Sequence, residues 1–364
     1  MKRTCGIAWL SVLLCVSKAV LCFAADLPPL RGMSRGDLLE IRNPLGGLSR
    51  AATPLEWEVR RKEALEGFQR IAGSLPGEEK RCALEVKVDE EVDCGSYVRR
   101  LVTYASSPGG RVPAYLCIPK AALAGTPAPA VLCLHPTDNK VGHGVVVGLG
   151  GKANRQYAAE LAERGYVTLS PSYPLLANYQ PDLKLLGFGS GTMKAVWDNI
   201  RGLDLLETFP FVKKDAGFAA IGHSLGGHNS IFTAVLEPRL KVVVSSCGFD
   251  SFLDYKGGNI SGWVQERYMI KLGDFVGRSE EVPFDYYELV AALAPRPFLV
   301  NAPKGDDNFK WESVDRIARA AEAVFRLHGA AGKLTVLHPE CAHDFPQEAR
   351  EAAYKLIGEV LGAP

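Results

Sequence analysis

The sequence predicts an α/β fold, with a mostly parallel central sheet covered by helices on both faces. Three observations carry that prediction. Short, almost wholly apolar runs recur, such as "APAVLCLHP", "GFAAIGHS" and "LKVVVSSCG". A strand with one wet face alternates polar and apolar residues, whereas an unbroken apolar run suits a strand buried on both faces. Stretches with helical periodicity and capping residues separate these runs. A hairpin precedes the series, so antiparallel strands open a sheet that repeated strand–helix units then extend. Right-handed crossovers are expected throughout.

The chain opens "MKRTCGIAWLSVLLCVSKAVLCFAAD". Lys2 and Arg3 precede an apolar run, and small residues follow near Ala24 and Ala25. This is the layout of a secretory leader spanning residues 1–25, which predicts export to the periplasm or the medium. The run is too short for a membrane span, and Lys18 interrupts it. Residues 26–53 are rich in Pro, Gly and Arg and read as irregular. A helix follows from Pro54 to Ala72, with Thr53 as cap and Gly73 at the stop. Together, residues 26–95 read as an N-terminal helical and irregular segment, and 96–364 as the main domain.

"SYVRRLVTYAS" and "RVPAYLCIP" flank "SPGG" and read as a hairpin. The remaining elements alternate in order. "APAVLCLHP" is a strand, "NRQYAAELAERG" a helix, "YVTLSPSYP" a strand and "SGTMKAVWDNIRGLDLLETFP" a long helix. "GFAAIGHS" is a strand running into a helix at Leu225, and "LKVVVSSCG" is the next strand. "RPFLVNAP", "WESVDRIARAAEAVFRLHG", "KLTVLHP" and "PQEAREAAYKLIGEVLG" close the chain as strand, helix, strand, helix. Residues 250–285 interrupt this rhythm with weak periodicity and read as a cap-like insertion over the pocket.

Net charge is +1 and hydrophobic content 47%. The balance gives no basic footprint for nucleic acid or an anionic membrane. Of nine cysteines, three lie in the leader. Cys82 and Cys94 are the nearest candidates for a disulfide in an oxidising compartment. Cys117, Cys133 and Cys247 sit in apolar runs and read as core residues. No CxxC or His/Cys cluster points to zinc. "GVVVGLGGKANRQYA" meets neither phosphate-loop nor dinucleotide spacing and reads as a glycine-rich rim of the site.

Ligands in open α/β sheets bind beyond the carboxyl ends of the strands, so residues just after strands matter most. There, Gly222-His223-Ser224-Leu225-Gly226 fits G-x-S-x-G between a strand and a helix. The glycines permit a turn so tight that it lifts the serine oxygen above the sheet, beside the helix amides. A serine hydroxyl needs a base within reach. Four histidines follow Ser224 in the chain. His228 lies in the helix just after the serine and cannot easily reach back. His328 and His338 read as surface or packing residues. His343, in "PECAHDFP" past the last strand, is placed to serve as base. The acid is expected after an intervening strand. Asp306 is the choice, with Asp307 and Asp250 as alternatives. The amides of Leu225 and Thr137 would bind an oxyanion; Pro136 has no N–H to give. His135 reads as a brace for its loop or a pocket residue. Tyr173, Trp263 and Tyr268 are candidates to line the pocket.

These motifs resemble the α/β-hydrolase superfamily, and within it the secreted bacterial esterases of the dienelactone-hydrolase and acetyl-xylan-esterase type. "CLHPT", "IGHSLGGHN", "VVVSSCGFDSFLDY", "ALAPRPFLVNAP" and "CAHDFP" carry the likeness, across roughly residues 80–360. The resemblance implies a triad of Ser224, Asp306 and His343 and oxyanion amides at Leu225 and Thr137. Dienelactone hydrolases use a cysteine nucleophile; serine here favours oxygen esters. The expected activity is hydrolysis of carboxylic esters, including acetyl or other esters of carbohydrates, through an acyl-enzyme. Neither metal nor organic cofactor is required, and the partner is a small-molecule or carbohydrate ester. Two other readings are a peptidase of the prolyl-oligopeptidase type and an inactive binding protein on the same fold. The former usually carries a propeller, and about 70 residues before the hairpin cannot build its 4–8 blades.

Overall fold

The computed structural model describes residues 32–363; the expected leader lies outside the described residues. Strands β1 (Glu40–Arg42) and β2 (Leu48–Arg50) form a small antiparallel ribbon. Helix α1 (Pro54–Ala72) then starts as expected. Thr53 accepts from the Glu56 amide at 3.3 Å, and the Glu56 carboxylate reaches back to the Thr53 amide at 3.1 Å. This reciprocal cap satisfies two amides that the helix cannot.

Next come β3 (Lys87–Asp93), β4 (Tyr97–Ser107) and β5 (Gly110–Pro119), an antiparallel run, followed by a short helix α2 (Lys120–Leu123). The parallel part comprises β6 (Ala130–Leu134), α3 (Tyr157–Glu163), β7 (Val167–Pro171), α4 (Gly191–Thr208), β8 (Phe218–His223), α5 (Leu225–Leu236) and β9 (Leu240–Ser246). It ends with α6 (Tyr286–Ala291), β10 (Phe298–Asn301), α7 (Trp311–Leu327), β11 (Leu334–Leu337) and α8 (Gln347–Leu361).

The nine strands of the main sheet lie in the order β11-β10-β9-β8-β6-β7-β5-β4-β3. From β7 to β11 all neighbours are parallel. The chain goes from β6 out to β7 and returns to β8 on the other side of β6. The loops after β6 and β8 therefore part in opposite directions, which opens a crevice at their carboxyl ends.

The apolar runs explain the two faces. In β8, Phe218 and Ala220 join one core, with α1, α4, α5, α6 and α7; Ala219 and Ile221 join the other, with α3 and α8. β6 divides likewise, with Leu132 and Leu134 against Val131 and Cys133. Alternate side chains point to opposite faces, and both faces are covered.

Two expectations change. β3 belongs to the main sheet, so the segment ending at residue 95 already contributes to the sheet of the main domain. Its sequence "KVDEEVD" is almost fully exposed, as suits an edge strand protected by charge. The apolar stripe of the N-terminal helix packs against the main body, where Phe68 stacks on Phe232 at 4.9 Å and Arg60 pairs with buried Glu288 at 2.9 Å. Finally, Cys82 and Cys94 do not pair: both are free, as are the other described cysteines. The extended seven residues of β3 lie between them and hold them apart, at about 3.3 Å per residue.

The segment 250–285 is built of 3-10 turns at Tyr255–Gly257, Ile260–Trp263, Ile270–Phe275 and Ser279–Glu281. Among the described residues, no helix is long and apolar enough to cross a membrane.

Candidate active site

Ser224 follows β8 at φ 54°, a left-handed conformation uncommon for a residue with a side chain. Its amide donates to the Ser246 carbonyl at 2.7 Å, which ties the turn to β9. The flanking glycines are sterically required. A Cβ on Gly222 would lie 2.1 Å from the Gly226 carbonyl oxygen, and one on Gly226 would lie 1.9 Å from that of Leu134. Leu225 opens α5, so its amide is among those left without an intrahelical acceptor.

His343 lies on the loop between β11 and α8. Its Nδ1 is 2.9 Å from both carboxylate oxygens of Asp306. A carboxylate accepts, so Nδ1 donates and Nε2 keeps its lone pair. Asp306 also accepts from the amides of Asn308 at 2.8 Å and Phe309 at 3.2 Å. Burial opposes its ionisation, but the imidazole and these amides outweigh burial and hold its pKa below the usual value. The other two carboxylates are elsewhere engaged. Asp307 is exposed, and its carbonyl accepts from Lys256 at 2.7 Å. Asp250 is buried and accepts from the Lys310 amide at 3.1 Å.

Two cavity lobes meet at Ser224 and Thr137. The first, about 250 Å³, is lined by His343, His223, Pro136, Lys152 and Arg155 among others. The second, about 260 Å³, is lined by Leu225, His228, Trp263, Tyr268, Asn308 and Phe309 among others. The segment 250–285 thus forms one wall of the second lobe. Tyr268 is tied to the loop after β6, with its hydroxyl 3.2 Å from the Thr137 hydroxyl. The glycine-rich stretch does form a rim, through Val145, Lys152 and Arg155.

Two residues that the sequence offers as loop braces or as pocket candidates hold loops in place. His135 is buried and braces the loop: the Tyr173 amide donates to its Nε2 at 2.8 Å, and its Nδ1 faces the Pro136 carbonyl at 2.7 Å. Burial lowers its pKa to about 4, so it stays neutral. Tyr173 is buried, and its hydroxyl donates to the Arg267 carbonyl at 2.6 Å, clamping the wall segment rather than lining the cavity. His338 bonds Asp315 and the Ala302 carbonyl, both at 2.8 Å, and His328 packs edge-on against Trp57.

Cys247 is buried, as its apolar run predicts. It follows β9 at φ 47°, donates to the Asp344 carbonyl at 3.2 Å, and its sulfur, Asp306 and His343 offer ligand atoms within 4.8 Å of one another. Burial, then the Asp306 charge, push the thiol pKa well up. A protonated thiol is a poor metal ligand, and His343 Nδ1 is already committed to Asp306. Arg155 and His228 were not singled out as site residues. Nothing in the local sequence marks Arg155, and the position of His228 one helical turn after Ser224 is the only sign that it borders the same space.

No protein-family model matches the chain. The chain is 25% identical over 312 residues to the Bacillus subtilis (strain 168) protein named "Putative hydrolase YtaP", across 83% of this chain and 100% of that protein. The glucuronoyl esterase from Solibacter usitatus superposes with a TM-score of 0.71 at 20% identity, over 90% of this chain and 98% of that one. Acetyl Xylan Esterase 1 from Thermoanaerobacterium sp. JW/SL YS485 gives a TM-score of 0.52 at 17% identity, over 81% and 98%. The chain has the α/β-hydrolase fold that these structures share.

Proposed function

We propose that this chain is an exported serine hydrolase that cleaves carboxylic esters of carbohydrates. The observation that carries the reading is the bond between His343 and Asp306 in a cavity that also exposes Ser224 on a strained turn. The carbohydrate esterases among the similar structures and proteins support the substrate class. The leader sequence supports export.

The chemistry follows from the groups present. Ser224 Oγ attacks the ester carbonyl while His343 Nε2 takes its proton. Asp306 holds the imidazole in the tautomer that leaves Nε2 bare and stabilises the imidazolium. Negative charge on the former carbonyl oxygen is met by the Leu225 and Thr137 amides. His343 returns the proton to the departing alkoxide, giving a free alcohol and an acyl-serine. Water, deprotonated by His343, then adds to the acyl carbon, and the acid leaves as Ser224 regains its proton.

The test is covalent. A fluorophosphonate should label Ser224 in the folded protein, and Ser224→Ala should abolish both labelling and ester turnover. Ester cleavage should exceed cleavage of matched aminoacyl amides. Absence of labelling in folded wild-type protein would overturn the reading and favour a binding role.

A further inference from the structure

We propose that His228 and Trp263 form a subsite that recognises a sugar hydroxyl in the lobe beside Ser224. The proposal rests on the esterase reading and narrows it to substrates carrying a free hydroxyl next to the ester.

Two orphaned polar atoms motivate it. His228 Nε2 and Trp263 Nε1 are both buried and have no hydrogen-bond partner among the described residues. The two residues are 5% and 4% exposed, and both line the second lobe. Their rings lie 4.8 Å apart at 58° without bonding each other. Buried polar groups are rarely left unpaired, so such a pair at a cavity wall calls for an occupant.

The occupant's chemistry follows from the two atoms. His228 Nδ1 lies 3.1 Å from the Gly248 carbonyl, which can only accept, so the proton sits on Nδ1. Burial outweighs that bond and lowers the ring's pKa to about 3, so the imidazole is neutral at ordinary pH. Nε2 is therefore an acceptor. The Trp263 indole N–H can only donate. One group serving both atoms would have to donate and accept at once. A hydroxyl does. A carboxylate would accept from the indole but oppose its charge to the imidazole lone pair; an ammonium would do the reverse. None of the side chains lining this lobe is charged, and the aromatic faces of Trp263 and Tyr268 suit the apolar face of a sugar ring.

The hydroxyl can belong to a sugar esterified as the alcohol or to a sugar acid esterified as the acyl group. The experiment uses both: acetylated methyl xylopyranosides and methyl esters of methyl glucuronopyranoside, each beside analogues lacking one ring hydroxyl. In wild-type protein, one deoxy position in one series should lower kcat/KM about tenfold or more. In Trp263→Phe and in His228→Phe that preference should fall close to one, and the double variant should lose no more than either single variant. Trp263→Phe keeps an aromatic ring at the wall and guards against a folding defect at His228.

If wild-type protein cleaves the esters but shows no hydroxyl preference, or the variants retain it, the subsite is refuted and the esterase reading stands. In that event the two side chains serve only to pack the wall. If no ester is cleaved, the esterase reading fails. Ligand-observed NMR with the unacetylated methyl xyloside and its deoxy analogues then decides the subsite: weaker binding of one deoxy analogue, lost in Trp263→Phe, supports it, and equal binding sinks it.

Discussion

Arg155 donates through Nη2 to the carbonyl oxygen of His343 at 3.1 Å, while its Nη1 pairs with the neighbouring Asp344. Asp344 accepts a further bond from Asn154 at 2.7 Å. The loop that carries the proposed base is thus pinned from the rim after β6, by a guanidinium whose side chain is 4% exposed. Arg155 acts through position, since its bonds go to the backbone and side chain around His343.

Removing that pin should loosen the imidazole without erasing the site. Arg155→Ala is expected to lower kcat about 10–100-fold with a smaller change in KM, because small misplacements of a reacting group are costly. Arg155→Lys should recover only part, since an ammonium cannot serve the carbonyl and the carboxylate in the same fork geometry. Steady-state kinetics on one soluble ester would check both.

The acid can be assigned by two parallel substitutions. Asp306→Asn should lower kcat by about 10⁴, as an amide facing Nδ1 favours the wrong tautomer. Asp307→Asn should stay within a few-fold of wild type, because that side chain is exposed and only its backbone carbonyl is bonded. An unaltered rate in Asp306→Asn would remove it from the mechanism.

Asp250 should make stability depend on pH. Burial is the largest influence; Asp254 and Asp285 add to it, the Lys310 amide opposes it, and the pKa rises to about 7. Unfolded, the group titrates near the ordinary carboxylate value, about 3.9. The unfolded state therefore releases this proton first, so this group's contribution to stability falls from about pH 4 to about pH 7 and is flat above. Asp250→Asn cannot titrate. Its stability relative to wild type should rise between pH 4.5 and pH 8, by up to about 4 kcal/mol for a shift of about three units. Urea unfolding at the two pH values reads the difference, and equal offsets would refute it.

Cys247 lies among the proposed catalytic groups yet should resist alkylation. The buried thiol has a raised pKa, and thiolate is the reactive form. Iodoacetamide at pH 7.5 should modify the partly exposed Cys82 and Cys94 while activity persists. Peptide mapping of the treated protein, alongside its residual rate, checks this.

Much of the frame was legible because burial on both faces writes itself as uninterrupted apolar strands. β6, β8 and β9 are examples, and their ends fixed where to look for Ser224. The turn around Ser224 was legible for a steric reason that the Gly222 and Gly226 contacts bear out. β3 was not, because an edge strand protected by charge looks like a loop. α6 was missed too: Tyr286–Ala291 is short and follows an irregular segment, and its Asp285 cap is hidden among other acidic residues. Whether Tyr173 and His135 line the pocket or brace a loop is not legible in the sequence, because a residue past a strand can turn inward as readily as outward. The roles of Arg155 and Cys247 depend on contacts across 97 to 189 positions, which no local pattern records.

Helix α1 has no part in the proposed chemistry, yet it packs closely against the segment that walls the second lobe. A Cβ on Gly67 would fall 2.0 Å from the Pro283 carbonyl oxygen. Transplanting residues 250–285 into another hydrolase would therefore carry the sequence of that wall without its buttress. A donor graft would need the helix as well, and any lineage that recruits a new substrate through this wall must keep in step with a stretch some two hundred residues upstream.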